Sequence, residues 1–174
     1  MPGGKGDTLY RVEALSKQHD RSGFTCGSEP LDTYLGIQAG QDARKRVAAT
    51  FVLCEGESNR VIGFYTLSAV SVDIGAWPEN VAKKLPRYPV VPATLLGRLA
   101  IDRKFQGKRA GEHLLMDALH RSLQASRQVA SVAVVVDAKD SQAAEFYKRY
   151  DFTPLVDPPI RLFLPMSVIE KMFA

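Results

Sequence analysis

The chain has 174 residues, of which 45% are hydrophobic and 24% charged, and it carries a net charge of +4. That balance suits one well-filled globular domain and excludes an intrinsically disordered chain, while the mild excess of cations permits a polyanionic partner. No apolar run reaches the roughly 18 residues of a membrane-crossing helix, and the first residues lack an apolar signal-peptide core. Two cysteines, Cys26 and Cys54, give no metal or disulfide spacing, so they read as buried, reduced thiols in a cytoplasmic protein.

Residues 1–8 are small and polar and read as a loose tail; residues 9–174 read as one domain. LYRVEAL (9–15) alternates as a first strand. A long helix follows, with Ser28 as its cap, Pro30 in its first turn, and Leu31, Tyr34, Leu35 and Ile37 at helical spacing. ATFVLCE (49–55) and RVIGFYTLSAVSV (60–72) are strand-like runs around a polar turn. Residues 73–90 hold three prolines and the single Trp and read as an irregular excursion. TLLGRLAID (94–102) is a strand leading into a helix with Leu114, Leu115, Ala118, Leu119 and Leu123 on one side. VASVAVVVDA (129–138) is apolar enough for a strand covered on both faces. A short helix over SQAAEFYKRY, two short strands and a last helix near SVIEKMF complete an α/β chain.

FQGKRAGEHLL (105–115) stands out. A strand, a glycine-containing basic turn and a helix start together make an anion site: exposed N–H groups point outward, and the helix dipole adds partial positive charge. Lys108 and Arg109 place full charges at the same point. Tight turns also use glycine for steric reasons alone, and the spacing is neither that of a P-loop nor that of a dinucleotide fingerprint.

LAIDRKFQGKRAGEHLLMDAL resembles the acyl-CoA-binding segment of the GNAT acetyltransferases, whose turn reads Q/R-x-x-G-x-G/A. Gln106 fills its first position and Gly111 its last, with Arg109 where the family has glycine. The resemblance implies a mixed, largely antiparallel GNAT sheet flanked by helices, with splayed strands forming an acetyl-CoA cleft. It implies that the turn (Gln106, Gly107, Lys108, Arg109, Ala110, Gly111 and Glu112) holds the coenzyme A pyrophosphate, and that Leu99, Ala100 and Ile101 pair with the pantetheine arm. Acetyl-CoA is then the acetyl donor, and no metal is expected. In VDAKDSQAAEFYKRYDF (136–152), Asp140 takes the family's Asn position, Ala144 lies at cofactor spacing, Asp151 replaces a glycine, and Tyr147 matches the tyrosine beside the thioester sulfur. Tyr147 then acts as the general acid for the departing thiolate. Read without the family, a Tyr on a short amphipathic helix is an ordinary core residue; Tyr150 is expected in the core.

GFTCGSEPLDTYL and PPIRLFLPMSVIEKMF resemble, more narrowly, the GNAT toxins of toxin–antitoxin pairs. These acetylate the α-amino group of aminoacyl-tRNA and block translation. The same resemblance implies a ribbon-helix-helix antitoxin as partner and operator DNA bound through that complex; a homodimer is left open. The residues agree with such an acceptor. A lysine amine, with a pKa of roughly 10.4, needs a base, whereas an α-amine near ~7.7–8.0 has a substantial neutral fraction in the cell. LLGRLAI offers no carboxylate or histidine, and His113 and His120 are expected on the exposed side of the helix after the turn. Arg44, Arg46 and Arg87 are the candidate tRNA contacts, with Lys83, Lys84, Arg98 and Arg161 as further cations; Arg44 to Arg46 also suit a helix C-terminus for its dipole alone. Two other readings stay open: a GNAT enzyme acting on a small-molecule or protein amine, and a non-catalytic module that binds nucleic acid or a partner.

Overall fold

A computed structural model describes residues 9–174; residues 1–8, expected as a tail, lie outside the described residues. Its strands form one mixed sheet in the order β1-β2-β3-β4-β5-β7-β6. The recorded pairings are antiparallel for β1 (Tyr10–Ala14) with β2 (Ala49–Glu55), for β5 (Ala133–Asp137) with β7 (Arg161–Pro165), and for β6 (Thr153–Pro154) with β7. β4 (Val90–Ile101) and β5 run parallel. The expected mixed, largely antiparallel sheet is therefore the one observed. The chain divides into two compact units: the described residues up to Thr66 with Arg98–Asp117, and Leu67–Gly97 with Ala118–Ala174. Strands β3 (Gly63–Asp73) and β4 and helix α4 (Ala110–Ser126) each begin in one unit and end in the other.

In the first unit the expected long helix forms, but in three pieces. α1 (Glu29–Thr33) passes through a π turn (Tyr34–Gln38) into α2 (Ala39–Arg44). The Ala39 N–H reaches back to the Tyr34 carbonyl, five residues away, and the Arg21 guanidinium donates to the Leu35 carbonyl at 3.1 Å. The wider turn brings Ala39 to the inside with Tyr34 and Leu35 and leaves Ile37 66% exposed, contrary to its expected place on the apolar face. Ser28 occupies the cap position, but its hydroxyl makes no capping bond; Pro30, two residues on, has no N–H to offer. Phe24, Tyr34, Leu35, Val52, Cys54 and Phe64 share one core cluster, and Phe24 and Tyr34 both lie against the Phe64 ring. Cys54 is buried as expected, whereas Cys26 is only half-buried.

The second unit packs Val72, Trp77, Val91, Val135, Leu155 and Phe163 together, with the Trp77 ring edge-on to Phe163 at 5.0 Å. Val134, Val135 and Val136 are fully buried, as an apolar run covered on both faces should be. β5 is nonetheless half the expected length, and Val129, placed in it from sequence, is 78% exposed beyond the end of α4. The excursion at 73–90 contains a 3-10 turn (Ile74–Ala76) and α3 (Glu79–Ala82), and β4 begins at Val90 rather than residue 94. α5 (Ser141–Lys148) and α6 (Met166–Met172) appear where expected.

Candidate active site

Within the first unit, β4 delivers the chain to the basic turn. Leu99 is half-buried, and Ala100 and Ile101 are buried. The β4–β5 register runs from Thr94↔Val134 to Leu96↔Val136, while β4 itself continues to Ile101. Gln106, Gly107, Lys108 and Arg109 are all exposed, and Gly107 takes a φ of +78°. Arg109 takes φ +60°, the left-handed conformation that the family's glycine would adopt without strain. Arg109 thus puts a cation at a left-handed point of the turn. Asp151, the second residue standing at a family glycine, behaves the same way at φ +71°.

Among the described residues, no hydrogen bond of ordinary geometry takes up the N–H groups of residues 106–112. The first used amide is that of His113, which donates to the Arg109 carbonyl at 3.0 Å. Ala110, Gly111 and Glu112 form the opening turn of α4, where free N–H groups and the positive end of the dipole coincide. Glu112 answers that dipole as an acidic first-turn residue. The arrangement can take a polyanion such as a pyrophosphate. It does so through backbone groups; the Gln106 side chain is occupied, donating to the Cys26 and Ile101 carbonyls at 3.0 and 2.9 Å.

Within the second unit, Asp140 caps α5, its carboxylate accepting from the Ala143 N–H at 2.8 Å. The residue in the family's Asn position therefore sets the helix that carries Ala144 and Tyr147. Tyr147 is 7% exposed, with ring contacts to Phe146 at 5.2 Å and Phe152 at 5.4 Å. Its hydroxyl has no hydrogen-bond partner among the described residues, and burial pushes the phenol well above the ordinary tyrosine value. Such a group stays protonated at neutral pH. Tyr150, expected in the core, is only half-buried, against Phe146, just past the end of the helix that carries Tyr147.

Among the described residues the cations divide into exposed and engaged. Arg44, Arg46, Lys83, Lys84 and Arg87 are exposed. Arg98 is not free, because its guanidinium lies 3.6 Å over the Tyr34 ring. Arg161 is paired bidentately with Asp137 at 2.8 and 3.1 Å. His113 and His120 are exposed, as expected. Sequence reasoning passed over Asp102, which is 1% exposed and sits where β4 meets the turn. The signal was there: an Asp at a strand end, two residues before an amide it caps.

Residues 92–167 match the model of the acetyltransferase (GNAT) domain. A tRNA-acetylating toxin of Mycobacterium tuberculosis is 37% identical over 153 residues, covering 88% of this chain and 90% of the relative. Among solved structures, AtaT complexed with acetyl-methionyl-tRNAfMet superposes with a TM-score of 0.88 at 32% identity, over 95% of this chain and 100% of that one. AtaTR bound with acetyl-CoA gives 0.83 at 32% identity, over 95% and 98%. The protein belongs to the GNAT acetyltransferases, among the tRNA-acetylating toxins.

Proposed function

We propose that this chain transfers an acetyl group from acetyl-CoA to the α-amino group of aminoacyl-tRNA and so blocks translation. The observation that carries the reading is the run of unclaimed N–H groups at 106–112 beside Lys108 and Arg109, an anion cradle at a helix start. These groups would hold the pyrophosphate, and the backbone of Leu99, Ala100 and Ile101, beyond the last β4–β5 pair, would take the pantetheine amides. When bound, acetyl-CoA supplies the acetyl group as a thioester, whose C–S bond breaks as the amine nitrogen bonds to the acetyl carbon.

Tyr147 would give its proton to the sulfur that leaves. A free thiol, near pKa ~8.5, is a stronger acid than a phenol near ~10, so the donation helps only as negative charge builds on sulfur. Burial makes a lasting phenolate costlier still, so the proton shed by the attacking nitrogen must return to Tyr147. An α-amine keeps a substantial neutral fraction in the cell, so it needs no separate base to begin this exchange.

On the family resemblance Asp140 and Ala144 are proposed cofactor contacts as well, Asp140 through the helix it caps. Exposed Arg44, Arg46 and Arg87 are the proposed phosphate contacts for tRNA, and such contacts weaken with salt. AtaT has been solved bound to the C-terminus of its antitoxin AtaR, and KacTA with DNA. On that likeness we assign this chain a ribbon-helix-helix antitoxin, operator DNA bound through the complex, one catalytic domain over residues 9–174 and a cytoplasmic location. Among the described residues no helix is long and apolar enough to cross a membrane. The test is mass spectrometry of charged tRNA after incubation with acetyl-CoA.

A further inference from the structure

Three hydrogen bonds join two segments far apart in sequence, residues 25–27 and residues 101–106, and two more brace the second segment, all within the first unit. The Thr25 N–H donates to the Asp102 carboxylate at 3.2 Å, and the Arg103 N–H returns the exchange to the Thr25 carbonyl at 2.8 Å. The other Asp102 oxygen accepts from the Lys104 N–H at 3.0 Å. The Gln106 side-chain amide then bridges the Cys26 carbonyl at 3.0 Å and the Ile101 carbonyl at 2.9 Å. The Asp102 N–H adds a tie to the Ile62 carbonyl at 2.8 Å. Gly27, at φ +95°, lies so close to Arg103 that an added Cβ would sit 3.2 Å from the guanidinium.

A carboxylate taken out of water is costly unless its oxygens are satisfied, and Asp102 is 1% exposed with both oxygens accepting backbone N–H groups. Those two donors come from different segments, so the side chain fixes their relative position. The turn at 106–112 has no comparable internal bonding of its own. Free amides bind an anion well only when something else holds them in place beforehand.

We propose that Asp102 is a positioning residue for the acyl-donor turn. Its buried carboxylate, with the Gln106 amide, locks residues 25–27 onto residues 102–106 and keeps the N–H groups of 106–112 in one anion-binding arrangement. Asp102 touches neither donor nor acceptor. The inference rests on the acetyl-CoA reading above.

The experiment uses the full chain and coenzyme A itself. Calorimetry gives the Kd of CoA for the unaltered protein, Asp102→Ala, Asp102→Asn and Gln106→Ala, each well below its melting temperature, and steady-state rates give KM and kcat for acetyl-CoA. Asp102→Ala should weaken CoA by about tenfold, the effect of losing one well-made hydrogen bond's worth of positioning. KM should rise in step, with kcat at saturating donor little changed. Asp102→Asn, which keeps one acceptor of the right size, should recover part of the loss, and Gln106→Ala should shift affinity in the same direction as Asp102→Ala. A purely structural role predicts instead a lower melting temperature with Kd and KM unchanged, and that result overturns the proposal. If Asp102→Ala does not fold, unchanged CoA affinity in both other variants overturns it equally. Failure of the unaltered chain to bind CoA refutes the acetyl-CoA reading, a result distinct from either.

Discussion

Arg109→Gly separates two roles that one residue now combines. Its backbone sits at φ +60°, where an L-residue other than glycine is strained by roughly 1–2 kcal/mol. Glycine relieves that strain but gains freedom in the unfolded chain, which costs about 0.5–1 kcal/mol. The net expectation is a gain of about 0.5–1 kcal/mol without ligand, or a rise in Tm of about 1–4 °C for a chain of this size. Loss of the guanidinium acts oppositely on the bound state. A cation beside a pyrophosphate contributes a charge-assisted contact, so CoA affinity should fall by about three- to tenfold, less at high salt. The assays are thermal melts without ligand and calorimetry with CoA at two salt concentrations. A variant that melts lower than the parent refutes the strain argument; one that melts higher and binds CoA as well or better refutes the phosphate contact. Asp151→Gly offers a contrast, since Asp tolerates φ +71° better than Arg tolerates +60°, and its gain should be smaller.

Tyr147→Phe keeps the buried ring and removes the proton, so acetylation should slow by ~10²–10⁴-fold while CoA affinity and Tm hold, as single-turnover rates beside melts would record; Tyr150→Phe, half-buried, should leave the rate unchanged. Gly63→Ala would place a Cβ 2.8 Å from Ile101 Cδ1 and 3.2 Å from the Ala100 carbonyl oxygen. Chemical unfolding should then show a loss of about 1–3 kcal/mol from overpacking. Glu13 accepts from the buried His19 ring at 2.7 Å, and this bond, reinforced by Arg11, holds its carboxyl below the usual glutamate value. A lowered folded pKa gives stability that is present above the ordinary glutamate range and lost as pH falls through the folded value. The Tm advantage over Glu13→Gln should therefore shrink on acidification below that range; an advantage that stays constant with pH contradicts the assignment.

Periodicity made most of the elements legible. Leu114, Leu115, Ala118, Leu119 and Leu123 are all buried, as their spacing required, and the three consecutive valines of β5 are fully covered. The π turn was not legible, because it depends on Arg21 reaching the Leu35 carbonyl from outside the helix. Nor was the start of β4 at Val90: the prolines at 86 and 89 read as loop, yet the Ile74 N–H takes the Pro89 carbonyl and the Val132 N–H that of Pro92. The basic turn could be found from local residue types alone, since helix-start amides and adjacent cations need no distant partner. The local half of Asp102, its cap on the Lys104 N–H, was legible, but its tie to Thr25, 77 residues away, was not. Which cations are engaged was equally hidden, since Arg98 and Arg161 find a ring and a carboxylate that sequence does not put beside them.

The most direct test incubates the chain with acetyl-CoA and charged tRNA, cleaves the tRNA, and weighs the aminoacyl-adenosine fragment. The account predicts the mass gain of one acetyl group on the amino-acid portion, dependent on the chain and abolished or strongly slowed in Tyr147→Phe. An unmodified fragment, with acetyl-CoA consumed on a lysine or a small amine in the same mixture, would contradict it.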